Sequence, residues 1–230
     1  MTRVAAVDMG TNSTRLLVSD DTRSLDRRMR ITRLGQGVDA TGRLAPEAIE
    51  RTIAVLREYR GVIDDLGATS VRAAATSAAR DAGNREDLFA AAEEVLGVRP
   101  ELLPGDEEGR LAFLGATVGL DPADGPFLVA DIGGGSTEFV LGPAGGPPQY
   151  GVSVNIGCVR MTERHLHSDP PAGQEVAAAV ADIDAALDTV AAAVPARDAR
   201  TLIGLAGSVT TVAAIAMGLP AYDAARIHHA

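Results

Sequence analysis

Two stretches of this chain carry the residue types that hold a phosphate group, in the same order. Ala6-Val7-Asp8-Met9-Gly10-Thr11-Asn12-Ser13-Thr14-Arg15 returns as Val129-Ala130-Asp131-Ile132-Gly133-Gly134-Gly135-Ser136-Thr137-Glu138, an offset of 131 − 8 = 123 residues. Each copy lies between apolar runs, residues 4–7 and 16–18 in the first and 127–130 and 139–141 in the second. That is a strand, a tight turn and a returning strand. Glycine lets backbone amides converge on one point and the hydroxyls add donors, which suits an anion with several oxygens. One copy alone would read as a plain hairpin. A matched pair predicts two related lobes facing each other across a phosphate-binding cleft.

The expected phosphate-binding residues are therefore Gly10, Thr11, Asn12 and Ser13 in the first turn and Gly133, Gly134, Gly135, Ser136 and Thr137 in the second. Asp131 ends a strand beside three glycines, where a carboxylate next to phosphate needs a compensating cation, so it is expected to ligate a divalent metal. Glu138 would hold the same metal or orient water; its alternative is an ordinary solvent-facing strand residue. Asp8, at the equivalent place in the first copy, could simply cap its turn. Arg80 follows a strand end at Thr76-Ser77 and is expected on phosphate, with Arg15 and Arg160 as weaker candidates of the same kind. Gly207 and Ser208 lie at a strand-to-helix turn, where helix N–H groups can meet an anion. Asp106, Glu107 and Glu108 open a helix, where a carboxylate gains about 0.3–1 kcal/mol from the dipole, so their presence alone does not require catalysis.

These residues need a scaffold, and periodicity supplies one. After the first hairpin, residues 26–33 alternate as a third strand, and Pro46 opens a helix with Ile49, Ile53, Leu56, Ile63 and Leu66 at helical spacing. Residues 71–75 form a strand, 85–96 a helix capped by Asn84, 99–103 a short strand and 107–117 a helix. Gly119 to Pro126 is the best linker. The second half repeats the order: strands at 127–130, 139–141 and 149–154, a helix over 174–193, a strand at 202–205 and a helix over 209–217. Three strands followed by alternating helices and strands describes a mixed sheet with helices on its faces, made twice. The expected lobes are residues 1–119 and 126–230.

Composition excludes several chemistries. Of 230 residues, 46% are hydrophobic but only 3% aromatic, so the cores are built from Ala, Val, Leu and Ile. Net charge is −10, which speaks against non-specific nucleic-acid binding. All 21 basic residues are arginine. Without lysine there is neither a P-loop of the usual kind nor a Schiff base. The single cysteine, Cys158, excludes an internal disulfide and is expected to pack rather than react. His165, His167, His228 and His229 have no metal-ligand spacing. No secretion signal or apolar run of about 18 residues is evident, so a cytoplasmic location off the membrane is expected.

Taken together, the motifs resemble the exopolyphosphatase/guanosine pentaphosphate phosphohydrolase family of the actin-like, sugar-kinase-like superfamily. The resemblance rests on the two turns, on Ile31-Thr32-Arg33-Leu34-Gly35, Ala75-Thr76-Ser77-Ala78-Ala79-Arg80 and Gly105-Asp106-Glu107-Glu108-Gly109-Arg110-Leu111, and on Gly157-Cys158-Val159-Arg160-Met161-Thr162-Glu163 and Gly204-Leu205-Ala206-Gly207-Ser208-Val209-Thr210-Thr211. It implies an α/β fold of two actin-like (ribonuclease H-like) lobes, the second incomplete because family members continue beyond residue 230. It also implies hydrolysis of a terminal phosphate from a phosphoanhydride chain, with water as acceptor and Mg²⁺ or another divalent cation. The resemblance selects Glu108, rather than its neighbour Glu107, as the base for the attacking water, with Glu138 as its catalytic companion. Adjacent phosphates about 4 Å apart repel by roughly 4 kcal/mol per charge pair at an effective dielectric of 20, so cation and donors are both needed.

Polyphosphate is the favoured substrate over guanosine pentaphosphate, because Tyr59, Tyr150, Tyr222 and four Phe offer few stacking platforms. A sugar or acid kinase of the same superfamily, or a non-catalytic polyphosphate or nucleotide sensor, are the competing readings. The expected assembly is a homodimer.

Overall fold

A computed structural model of the chain describes residues 2–20 and 23–228. Two compact units divide it, Met1–Pro104 and Gly105–Ala230.

The first unit is built on a five-stranded sheet. It contains β1 (Val4–Met9), β2 (Ser13–Ser19), β3 (Ser24–Ile31), α1 (Val38–Thr41), α2 (Pro46–Asp65), β4 (Ser70–Ala75), α3 (Ser77–Asp81), α4 (Arg85–Leu96) and β5 (Glu101–Leu102). Sheet order is β3-β2-β1-β4-β5. β1 and β2 are antiparallel and β1 and β4 parallel, so β1, β3, β4 and β5 all point their carboxyl ends to one edge. Ala5, Val7, Met9, Leu16 and Val18 alternate inward and pack with Leu56, Ile63, Leu88 and Leu96 of α2 and α4. Tyr59 is fully buried and its hydroxyl donates to the Thr14 carbonyl at 2.8 Å, which hooks α2 onto β2.

The second unit contains α5 (Gly105–Thr117), β6 (Phe127–Ile132), β7 (Thr137–Gly142), β8 (Tyr150–Val154), α6 (Cys158–His165), α7 (Gly173–Ala193), β9 (Thr201–Leu205), α8 (Ala206–Ala216) and α9 (Ala224–Ile227). Its sheet runs β8-β7-β6-β9, with β6 parallel to β9 and antiparallel to β7. One core joins Phe113 of α5 to Phe127, Val129 and Val140; another joins Leu141 and Val154 to Val190 and Val194.

Two sequence expectations are corrected, and one element was not anticipated. The division falls before α5, not in the linker at 119–126, because α5 buries Gly109, Phe113 and Thr117, spaced four residues apart, in the second unit. Asn84 flanks α4 but makes no capping bond; its amide pairs instead with the backbone of Leu44, accepting from N–H at 2.8 Å and donating to C=O at 3.1 Å. α6 had no counterpart in the periodicity. Among the described residues no helix is long and apolar enough to cross a membrane.

Candidate active site

The glycine turn of the second unit is held from behind. Gly133 N–H donates to the Ser136 carbonyl at 3.0 Å, closing the turn between β6 and β7. Its three glycine carbonyls are all captured by the start of α6. Cys158 N–H donates to Gly133 O at 2.9 Å, Val159 and Arg160 N–H to Gly134 O at 2.9 and 3.1 Å, and Gly157 N–H to Gly135 O at 3.2 Å. The Arg160 Nε adds a 2.7 Å bond to Gly135 O from a buried position. A trans peptide points its N–H opposite to its C=O, so drawing these carbonyls toward α6 turns the amides of Gly134, Gly135 and Ser136 away from it. Among the described residues the amides of Gly134 and Gly135 take no partner. Successive outward amides of this kind form an anion-binding concavity. Gly157 makes the contact feasible: a Cβ there would lie 2.3 Å from the Gly134 carbonyl and 2.4 Å from Gly135 N.

Beside this turn stands Glu138, only 2% exposed. It is opposite Asp131 in the β6–β7 register and opposite Ser153 in the β7–β8 register, whose hydroxyl donates to Glu138 Oε1 at 2.7 Å. Burial, and next the negative charge of Glu108, push the Glu138 carboxyl up to about 7; hydrogen bonds from Ser153 and Ser136 pull it down, and Asp131 raises it slightly. Helix α5 brings Glu108 into that field. It can lie so close because residue 109 is glycine, where a Cβ would sit 3.0 Å from Val140 Cγ2 and 3.3 Å from Glu138 Cβ. Glu107 is turned to Arg110, one turn on, in a bidentate ion pair at 2.7 and 2.8 Å. Glu108, Asp131 and Glu138 are thus brought together in the second unit.

The first unit repeats the turn with different support. Gly10 N–H donates to Ser13 O at 3.0 Å, the counterpart of the Gly133–Ser136 bond. Here the turn carbonyls are taken by the segment after β3: Gly35 N–H to Thr11 O at 2.8 Å, and Thr32 and Arg33 N–H to Asn12 O, each at 3.0 Å. Among the described residues the buried Thr11 hydroxyl has no hydrogen-bond partner, as a donor reserved for a ligand would be. The turn, α3 and the end of β5 share the carboxyl edge of the sheet. Arg80 lies at that edge and donates from Nη1 to the Leu103 carbonyl at 2.8 Å.

Other candidates are placed less centrally. Gly207 and Ser208 fall inside the first turn of α8, which starts directly after β9 with Ala206 at φ 70° and buries none of its residues. Arg160 stands behind the glycine turn instead of in front of it. Cys158 is exposed, contrary to the packing role expected, because α6 buries Arg160 and Met161 on its other side. His165 shares Asp182 of α7 with Arg164, at 2.9 and 2.8 Å, and braces α6. His229 lies outside the described residues. Ser153, Gly109 and the carbonyl-capturing role of α6 were missed by sequence reasoning; Ser153 becomes visible only once the β7–β8 register is known.

The donor set suits a divalent cation of the magnesium type. Among the described residues no three acidic, His or Cys groups form a ready-made cage. Mg²⁺ does not require one, since it is held by one or two carboxylates with water and phosphate oxygens completing its shell. A carboxyl pushed up first by burial and then by the charge of Glu108 is a site that a cation would relieve. Asp131 and Glu138 are the residues that would hold it.

Comparison with known proteins agrees with these motifs. The model of the Ppx/GppA phosphatase family matches residues 15–228. Exopolyphosphatase 2 of Mycobacterium tuberculosis is 49% identical over 241 aligned residues, covering 99% of this chain and 75% of its own length. The crystal structure of the Aquifex aeolicus Ppx/GppA family member is similar at a TM-score of 0.76 and 36% identity, over 98% of this chain and 72% of that one. An exopolyphosphatase from Cytophaga hutchinsonii reaches a TM-score of 0.87 at 27% identity, over 98% and 74%. Paired glycine-hydroxyl turns, a buried acid beside one of them and a match along nearly the whole sequence lead to one assignment: the chain belongs to the Ppx/GppA phosphatase family.

Proposed function

We propose that the protein is an exopolyphosphatase that removes the terminal phosphate of inorganic polyphosphate. One observation carries the reading: the glycine carbonyls at 133–135 are captured by α6, so three amides face outward next to a cluster of three carboxylates. The amides of Gly134, Gly135 and Ser136 bind the oxygens of the terminal phosphoryl group and stabilise the charge that shifts during transfer. Glu108 accepts a proton from water as its oxygen bonds to phosphorus and the bridging P–O bond breaks; the shortened chain leaves with the bridging oxygen, and orthophosphate departs. A divalent cation held by Asp131 and Glu138 supplies neutralisation of the phosphate oxygens when bound. Thr11, Asn12 and Ser13, Arg80, Gly207 and Ser208 are proposed as further phosphate contacts, each within its own unit.

Polyphosphate is preferred to guanosine pentaphosphate because the relatives from M. tuberculosis and C. hutchinsonii are named exopolyphosphatases and because stacking surface is scarce. Tyr59 is wholly buried, which leaves only Tyr150 and Tyr222 exposed among the tyrosines. Phosphate release should be measured from short polyphosphate, long polyphosphate and guanosine pentaphosphate, with Mg²⁺ and with chelator. Release from polyphosphate that chelator stops, and that falls by about 10²–10⁴-fold in Glu108→Gln, is the expected result. An unaffected Glu108→Gln enzyme would remove the general base from this account, and turnover of guanosine pentaphosphate alone would reassign the substrate.

A further inference from the structure

We infer that Arg160 is a positioning residue for the phosphate-binding turn, acting through the Gly135 carbonyl and not through contact with substrate. The inference rests on the exopolyphosphatase reading for its activity readout, and on geometry alone for the rest. Arg160 Nε donates to Gly135 O at 2.7 Å and its own N–H to Gly134 O at 3.1 Å. It is buried, and it lies on the face of the turn toward which the carbonyls point. The outward amides belong to the opposite face. Through the 135–136 peptide, a charged donor on the carbonyl both fixes the direction of Ser136 N–H and polarises it, since hydrogen bonds to charged groups are stronger than neutral ones and linked bonds reinforce each other. A guanidinium therefore serves an anion it does not touch.

Side-chain topology gives a test that separates this role from phosphate binding. Glutamine puts an amide nitrogen at the same number of bonds from Cα as the arginine Nε, and so keeps the donor without the charge. Lysine keeps the charge but has a methylene at that place, with its ammonium one bond further out. Methionine has neither. Arg160→Gln, Arg160→Lys and Arg160→Met should be compared by kcat and KM on tripolyphosphate with Mg²⁺, and by ¹⁵N amide shifts of Gly134, Gly135 and Ser136 during titration with inorganic phosphate. The expected order places Gln within about fivefold of wild type in kcat/KM, with Lys and Met reduced by about 30- to 100-fold, somewhat less than removal of a direct oxyanion donor. The Ser136 amide should respond to phosphate in wild type and Gln and lose its response in Lys and Met.

A Lys variant more active than Gln, or Gln and Lys variants both indistinguishable from wild type, would overturn the inference, the first by indicating a charge that meets phosphate. Should Met fail to fold, the ranking of Gln against Lys still decides. If wild type released no phosphate from tripolyphosphate, the exopolyphosphatase reading would fall, whereas the amide shifts would continue to test Arg160.

Discussion

The two glycine-hydroxyl turns are the same device set in opposite electrostatics. In the first unit Asp8 is paired across β1 and β2 with Arg15, its carboxylate 3.5 Å from the guanidinium. At the matching place in the second unit, 123 residues on, Asp131 is paired across β6 and β7 with Glu138. One position, arginine in one copy and glutamate in the other, decides where an acid is neutralised by the protein and where acids accumulate. Backing differs too. Side chains of Thr11 and Asn12 occupy the places of Gly134 and Gly135, and a turn after β3 supports them, whereas the second turn rests on the amino end of a helix. A duplicated turn can thus be specialised without altering its fold: one copy keeps its own counter-charge, and the other is suited to take a cation from solution.

The comparison can be broken at four places, in descending order of effect. Gly157→Ala places a Cβ at 2.3–2.4 Å from the backbone of Gly134 and Gly135, where no rotamer change relieves it. It should lower stability by at least about 3 kcal/mol in denaturant titration and abolish phosphate release.

Glu138 gives the second prediction, with a sign. Its folded carboxyl titrates near 7, above the ordinary 4.5, so the folded state holds the proton more tightly than the unfolded chain. Its contribution to stability is then fully present below about pH 4.5 and is lost as pH rises to 7, by about 3 kcal/mol. In chelator, wild type should weaken across that window relative to Glu138→Gln, and added Mg²⁺ should stabilise wild type but not the variant above pH 7. Parallel curves for the two proteins would contradict the burial described.

Gly109→Ala tests the approach of α5 to β7. Contacts at 3.0 Å to Val140 and 3.3 Å to Glu138 should cost about 1–3 kcal/mol in thermal or chemical unfolding and reduce kcat by displacing Glu108. The smallest effect is expected in the first unit. Both partners of the Asp8–Arg15 pair are substantially exposed, so Arg15→Ala should change unfolding stability by less than about 1 kcal/mol. A larger loss would show that the first turn depends on its ion pair as heavily as the second depends on α6.

Much of this was legible before any coordinates. The twin phrase located both turns, and alternation located the strands beside them, since burial of one sheet face imposes a period of two. The acids were legible as candidates. What escaped was whatever depends on tertiary contact. Helix α6 has eight residues and opens on a glycine without a side-chain cap, so neither length nor capping announces it. Its amino-terminal amides are satisfied by carbonyls more than twenty residues earlier in the chain. The side of the boundary on which α5 falls was hidden for a related reason: its apolar positions call for a sheet to pack on but do not say which. Asn84 failed as a cap because Leu44, forty residues away, competes for its amide.

The bonding of residues 133–135 to α6 also changes what the run of three glycines means. Glycine sequences suggest pliancy, yet reversing the 134 carbonyl would strand the N–H groups of Val159 and Arg160, and reversing the 135 carbonyl would strand the Gly157 N–H and the Arg160 guanidinium. The missing side chains supply clearance for neighbouring backbone, and the turn itself is stiff. On the phosphate-binding reading proposed above, a polyanion would meet a receptor whose shape was settled when the chain folded, with no ordering of the turn left to be done at the moment of encounter.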